Sequence, residues 1–209
     1  MPDEGEYVLE EEVLAEGTFG RVRAAKRRRE GKRAAWWYGG VRVGVRTRRS
    51  AREEEEERER MPKQLVVKEC KVQNEEEGCP VSAMREASIL LLLRRFPHPH
   101  VEALLDVAGP ADAPWLVMER RECNLREHVK RRYPDGMPAA KARSCVVQIL
   151  SALVHCHSMG LLHRDVKPQN VLVEGGREGE AGGTTLRLAD FGNARKTEGE
   201  EGRRMTLEV

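Results

Sequence analysis

Apolar and polar positions alternate through residues 7–26, YVLEEEVLAEGTFGRVRAAK. A period of two over that length predicts two strands, and the glycines between them put a connecting loop near residues 15–20. Residues 64–72, QLVVKECKV, predict a further apolar strand with Lys68 near its end. In CPVSAMREASILLLLRRF, Pro80 and Ser82 suit a helix start and the residues after them are strong helix formers. HVEALLDVAG and PWLVMER read as two more strands, so the first part of the chain is expected to be a small β-rich lobe holding one helix.

The pattern changes at Asn124. NLREHVKRRYP predicts a short helix capped by Asn124 and stopped at Pro134. A longer helix follows between Lys141 and Ser158, in which Ser144, Gln148, Ser151 and His155 make one polar stripe and nearly everything else from Cys145 to Val154 is apolar. A helix with so narrow a polar stripe is expected to be covered on most of its circumference; the sequence supplies no covering helix for residues 145–154, so exposed apolar surface, and with it aggregation or a missing partner, is expected. Then come LLHRDVKPQNVLV, a loop flanked by short apolar strands, the linker EGGREGEAGGTT and a strand LRLADFG. Residues 193–209 are polar and carry no periodicity.

Charge breaks the pattern at residues 26–63. Ten Lys/Arg stand against one Glu between 26 and 49, and EEEEERER follows. Such blocks predict a solvated, partly disordered insertion, with VRVGV able to form a short strand. Trp36, Trp37 and Tyr38 lie beside the basic residues, a combination that contacts single-stranded nucleic acid elsewhere. A solvated inserted loop is far commoner, so nucleic acid is not expected as a partner.

Composition narrows the class. The 209 residues can bury a core, and Lys+Arg 37 against Asp+Glu 35 leaves no field that favours nucleic acid or an anionic membrane. Five scattered cysteines with no C-x-x-C pair argue against a disulfide framework or a zinc site and fit a reduced compartment. The acidic start lacks a secretory signal and the aliphatic run Ile89–Leu93 is too short to span a bilayer. The expectation is a soluble intracellular protein, cytoplasmic or nuclear, with no membrane partner.

Four elements, in order, carry the chemistry of a phosphate-handling site. Gly17 and Gly20 in AEGTFG let backbone N–H groups approach phosphate oxygens. Lys68 can neutralise phosphate charge, with Glu86 on the following helix holding its ammonium. In HRDVKPQN, Asp165 can accept a proton from an attacking hydroxyl, Lys167 can steady a transferring phosphoryl group, and Asn170 offers a carbonyl oxygen to a divalent metal. Asp190, in DFG after a strand, suits a hard cation such as Mg²⁺. Any one of these residues alone reads better as structural; the ordered set does not.

The set resembles a eukaryotic protein kinase, from about residue 7 onward and interrupted by the insertion. Lys167 resembles serine/threonine rather than tyrosine kinases. Within the CMGC group PVSAMRE, residues 80–86, is similar to the cyclin-contacting PSTAIRE motif of the cyclin-dependent kinases, and HCHSMGLLHRDVKPQNVLV and HPHVEALLDV are similar to their corresponding stretches. The resemblance implies an α+β, bilobal fold, with residues 1–121 as N-lobe and hinge, insertion 27–63 between its strands, and 122–209 as a partial C-lobe.

It also implies ATP and Mg²⁺ as cofactors, a protein substrate and a cyclin-like partner on residues 80–86. Lys68 would bind the α- and β-phosphates and Glu86 would pair with it. Asp165 would be the catalytic base, and Asn170 and Asp190 would hold Mg²⁺. The glycine loop would run from Leu14 through Ala15, Glu16, Gly17, Thr18, Phe19, Gly20 and Arg21 to Val22. Adenine would lie between Val22 and Val66 above and Leu172 below, with Met118 as gatekeeper and Glu119 to Arg121 as hinge. Leu90, Leu104, Phe191 and His163 would form a structural stack. Thr206 falls at the activating phosphothreonine, with Arg85, Arg164 and Arg195 to grip a phosphate of about −1.5 to −2 charge.

Departures from the family pattern are Ala15 for the first loop glycine, Val66 for an alanine, Phe19 for a tyrosine, and the insertion itself. The chain ends within the activation segment, before the peptide-binding segment and the APE motif, so it reads as a truncated kinase. The alternative is a catalytically inactive fragment that binds nucleotide or a cyclin-like partner.

Overall fold

A computed structural model describes residues 7–17, 20–27, 37–38, 41–42, 64–70, 81–110, 113–174 and 184–197. Thr18, Phe19, Pro80, Thr206, most of the insertion and the glycine-rich linker lie outside these residues. The chain divides into two compact units, Met1–Ala87 with Leu104–Arg120, and Ser88–Ala103 with Arg121–Val209.

The first unit is built on an antiparallel sheet of order β1-β2-β5-β7-β6. Its strands are β1 (Tyr7–Gly17), β2 (Gly20–Arg27), β5 (Leu65–Cys70), β6 (Leu104–Ala108) and β7 (Trp115–Glu119). β3 (Trp37–Tyr38) and β4 (Val41–Arg42) pair with each other inside the insertion. The loop expected over residues 15–20 is tighter than its glycines suggested: pairing runs up to Gly17 opposite Gly20. A Cβ on Gly20 would collide with the Glu69 carbonyl oxygen, so the absent side chain also serves the close approach of β2 to β5.

Side chains on β5 point alternately to the two faces of the sheet. Leu65 and Val67 join Tyr7, Ala25 and Val117 in a buried cluster on one face. The Tyr7 hydroxyl donates to Asp106 Oδ2 at 2.9 Å, so the ring is buried with its polar end satisfied. Val66 and Lys68 take the other face, where the register sets Val22 opposite Lys68 and Met118 opposite Val66.

Helix α1 (Val81–Arg95) contributes Val81–Ala87 to the first unit and Ser88–Arg95 to the second. Ala83, Glu86, Ala87, Leu90 and Leu93 recur at helical spacing and are all buried. Arg94 and Arg95 close its last turn, where cations suit the helix dipole.

The second unit adds α2 (Leu125–Arg132), α3 (Ala139–Ser158) and two small sheets. One sheet joins β11 (Thr185–Leu188), β10 (Val171–Glu174) and β8 (Cys123–Asn124); the other joins β12 (Arg195–Lys196) to β9 (Leu161–Leu162). The α2 cap is the one expected. Asn124 Oδ1 accepts from the Glu127 backbone at 3.0 Å, and Asn124 Nδ2 donates to Glu127 Oε1 at 2.9 Å. On β10 and β11 the opposed pairs Val171/Leu188 and Val173/Leu186 are buried, which forms the centre of this unit.

The polar stripe of α3 turns inward. Gln148 accepts from Leu186 N at 2.8 Å and donates to the Thr184 carbonyl at 3.0 Å, which docks the helix on β11. Ser151 meets His98 Nε2 at 3.2 Å, and His155 donates to the Phe96 carbonyl at 2.8 Å. The apolar flank calls for a cover that the sequence does not supply, and Val146, Val147, Leu150 and Val154 are each more than half exposed, with nothing among the described residues over them. The reason is that Gln148 finds backbone partners at Thr184 and Leu186, His155 finds the Phe96 carbonyl and Ser151 finds the His98 ring, so the stripe sets the docked side. No described helix is long and apolar enough to cross a membrane.

His98 stacks on His155 with centroids 4.8 Å apart and accepts the His100 backbone N–H on Nδ1 at 3.2 Å. Both contacts want a neutral ring. Its pKa is lowered below 6.5, first by burial and then by His155 and His100, and burial lowers His128 and His163 as well. The folded chain therefore binds fewer protons than the unfolded chain just below pH 6.5, and stability present above that value is lost as pH falls through it. The thermal midpoint is expected to drop between pH 7.5 and 5.5. His98→Asn, whose amide oxygen can still accept the His100 N–H, should flatten that slope; identical slopes would refute the role given to His98. Replacing Val147 and Leu150 together by glutamate is expected to change stability by no more than about 0.5 kcal/mol per site while reducing light scattering by the chain. A large loss of stability would mean that the flank is covered.

Candidate active site

In the first unit the sheet register brings Val22, Val66, Lys68 and Met118 to one face. Lys68 Nζ contacts both Glu86 oxygens, at 2.7 and 2.8 Å, and the Glu86 side chain is 3 % exposed. A carboxylate that deep needs its cation, so the pair fixes the first half of α1 on that face of the sheet. Leu14, Ala15 and Glu16 lie exposed on β1, and Arg21 on β2 pairs with Glu16 at 3.3 Å. Glu119 ends β7, and Arg85 on α1 is half-buried.

In the second unit the segment His163–Asn170 is folded around its own histidine. His163 is buried, its ring meets Phe191 edge-on at 4.8 Å, and its Nε2 lies 3.0 Å from the Ala189 carbonyl. A carbonyl only accepts, so Nε2 carries the proton and Nδ1 is free to accept the Asp165 backbone N–H, at 3.3 Å. Burial lowers the His163 pKa, in keeping with this neutral tautomer. Ala189 N in turn donates to the Asn170 carbonyl at 2.8 Å. Both backbone groups of Ala189 are thus held by the loop, which sets Asp190, the next residue, against it.

The loop stores some strain. Arg164 and Asp190 have φ of 67° and 63°, the only non-glycine residues with positive φ among those described. Each such residue costs on the order of 1 kcal/mol, less for aspartate, and such outliers gather at sites.

The Asp165 carboxylate receives three donors on one oxygen. Lys167 Nζ lies 2.8 Å from Oδ2, Asn170 Nδ2 3.0 Å and Asn193 Nδ2 3.4 Å. Oδ1 accepts no hydrogen bond from the described residues. The hydrogen bond from Lys167 is the largest cause holding the Asp165 pKa below the usual carboxylate range, with Asn170 and Asn193 adding to it. The group is therefore an ionised acceptor at neutral pH with one free oxygen.

Asn170 is buried and also donates to the Asp165 carbonyl at 2.9 Å. Its Nδ2 is spent, while Oδ1 accepts no hydrogen bond from the described residues. That is the donor a hard cation takes from an amide, and Asp190 is the carboxylate nearest in sequence to the gripped Ala189. No cluster of three or more His, Cys, Asp or Glu able to hold a metal occurs among the described residues. A two-residue Mg²⁺ site completed by phosphates and water needs none.

Other predicted residues are placed as follows. Leu172, on β10, lies opposite Asn124 and Arg187 on its neighbouring strands. The Arg121 guanidinium is buried within the second unit, fork to fork with Glu102 at 3.0 and 3.1 Å and bound to Glu174 at 3.0 Å. Arg121 therefore has only its backbone to offer a ligand. Burial raises the Glu102 pKa even against Arg121, which pulls the other way. Arg195 donates to the Ala194 carbonyl at 2.9 Å, and Arg164 is exposed. The sequence reading passed over Glu102 and Asn193: the first sits in a run read only as strand, and the second is one polar residue after DFG.

A model of the protein kinase domain matches residues 49–208. That is more than half of the chain, and the chain belongs to the protein kinase family. Cyclin-dependent kinase 4 of Xenopus laevis is 34 % identical over 136 residues, which cover 63 % of this chain and 40 % of that protein. The chain thus spans well under half the length of this curated relative. β1 and β2 precede the matched residues, so their likeness to the family rests on their strands and glycines.

Removing Lys68 alone leaves Glu86 buried without its cation. Lys68→Met is expected to cost about 3–5 kcal/mol, read from chemical denaturation, and the double variant Lys68→Met/Glu86→Met should recover most of it. A single variant as stable as the parent would show that the pair does not hold α1.

Proposed function

We propose that the chain carries the catalytic residues of an ATP- and Mg²⁺-dependent serine/threonine protein kinase, a transferase moving the γ-phosphoryl of ATP to a protein hydroxyl. The observation that carries this reading is the Asp165 carboxylate, ionised, anchored through Oδ2 and open at Oδ1. Oδ1 accepts the proton of the attacking serine or threonine hydroxyl as its oxygen forms a bond to the γ-phosphorus; the bond to the β–γ bridging oxygen breaks and ADP departs. Lys167 swings from Asp165 to the transferring group, and Lys68, held by Glu86, neutralises the α- and β-phosphates. Asn170 Oδ1 and Asp190 would hold Mg²⁺, which supplies charge neutralisation on the phosphates.

The similarity of PVSAMRE to a cyclin-contacting motif supports a cyclin-like partner on residues 80–86. Thr206, once phosphorylated, is the proposed partner of Arg85, Arg164 and Arg195. A second reading, binding of nucleotide or of a cyclin-like protein without transfer, is favoured by the uncovered flank of α3.

The test uses the purified chain with cyclin-like partners, MgATP and a serine/threonine peptide. Asp165→Asn is expected to lower phosphate transfer by about 10²–10⁴-fold while nucleotide binding persists, and Lys68→Met/Glu86→Met to weaken nucleotide binding. Nucleotide binding with no transfer by the parent chain would establish the second reading instead.

A further inference from the structure

Of the three donors on Asp165 Oδ2, two come from within the loop, at positions 167 and 170, and the third comes from residue 193. Asn193 closes the 3₁₀ turn Phe191–Asn193. Phe191 and Gly192 are buried, Ala194 N bonds back to the Phe191 carbonyl at 3.0 Å, and Arg195 pairs with Leu162 across β12 and β9. The backbone that carries the Asn193 amide is thereby held on both sides.

The donors differ in what else they must do. Under the function proposed above, on which this inference rests, Lys167 leaves Asp165 for the phosphoryl group. Asn170 Nδ2 is shared with the Asp165 backbone carbonyl at 2.9 Å. Asn170 has one N–H for each of its two acceptors, and Asn193 Nδ2 makes no other hydrogen bond among the described residues, so when Lys167 leaves, Asn193 is the donor from outside the loop that stays with the carboxylate.

We propose that Asn193 is a positioning residue for the catalytic base: its amide holds Oδ2 of Asp165 while Lys167 is engaged elsewhere, and so keeps Oδ1 turned to the incoming hydroxyl. At 3.4 Å the bond is long, as catalytic hydrogen bonds often are without substrate, and it shortens when Lys167 departs. The residue type matters: aspartate in its place has the same shape but presents a negative oxygen to Asp165, and leucine presents nothing polar.

Two readouts test this in the full chain. The first, independent of activity, is the orientation of the Asp165 carboxylate in crystal structures of the parent and its variants: Lys167→Ala alone is expected to leave Oδ2 in place with the Asn193 amide closer to it, and Lys167→Ala/Asn193→Leu to turn the carboxylate from that orientation. The second is the kinetic split: Asn193→Leu should lower kcat about tenfold or more with little change in the KM for ATP. A carboxylate unmoved in the double variant, or one that turns in it while Asn193→Leu leaves kcat unchanged, would overturn the proposal. Should the parent chain transfer no phosphate, the functional reading fails by itself, and the carboxylate orientation alone decides whether Asn193 holds Asp165.

Discussion

Everything that can do chemistry in the second unit depends on how Ala189 is held. Its carbonyl accepts the Nε2 proton of a buried histidine 26 positions away and its amide donates to the Asn170 carbonyl, so two separate segments are locked through the backbone groups of Ala189. The same histidine, because it must be neutral to make that bond, has an Nδ1 lone pair left to hold the backbone of Asp165. One ring therefore places both carboxylate-bearing residues, Asp165 directly and Asp190 through its neighbour. Arg164 and Asp190 adopt left-handed backbone on either side of this arrangement, and the buried Phe191 ring against His163 offsets that strain.

In the first unit a strand does the equivalent work by alternation. β5 gives Leu65 and Val67 to a closed apolar cluster and turns Val66 and Lys68 the other way, so burial of one set fixes the direction of the other. A slip of one residue would put Lys68 into the cluster, where an unpaired ammonium is far too costly to persist. Glu86 then holds the Lys68 ammonium and, with it, the first turns of α1.

Much of this was legible from local pattern. The strands around Gly17 and Gly20, the α1 stripe, the Asn124 cap and the α3 helix follow from residue type and spacing over a few positions, and they stand close to where the pattern put them. The direction of α3 was not legible in that way. Its narrow polar stripe reads equally well as the solvent side, and only the backbone of β11, with an unmet N–H and carbonyl for Gln148, decides that the stripe docks and the valines stay outside. Arg121 illustrates the same limit: no local pattern shows that a glutamate nineteen residues earlier claims its guanidinium.

The sequence by itself determined which groups stand ready for the proposed phosphate chemistry and their order: a lysine on a strand, a glutamate on the next helix, a carboxylate, a lysine and an amide in one loop, and a second carboxylate after a strand. Those depend on residue identity and on neighbours within a turn or two. Only the tertiary structure decided which atoms of those groups are spent and which are left. Lys167, Asn170 and Asn193 all fall on Oδ2 of Asp165, and among the described residues Oδ1 of Asp165 and the side-chain Oδ1 of Asn170 accept no hydrogen bond. That division depends on contacts across 28 positions of sequence, made by backbone segments that are fixed once β9, β10, β11 and β12 have paired, and no local pattern encodes it.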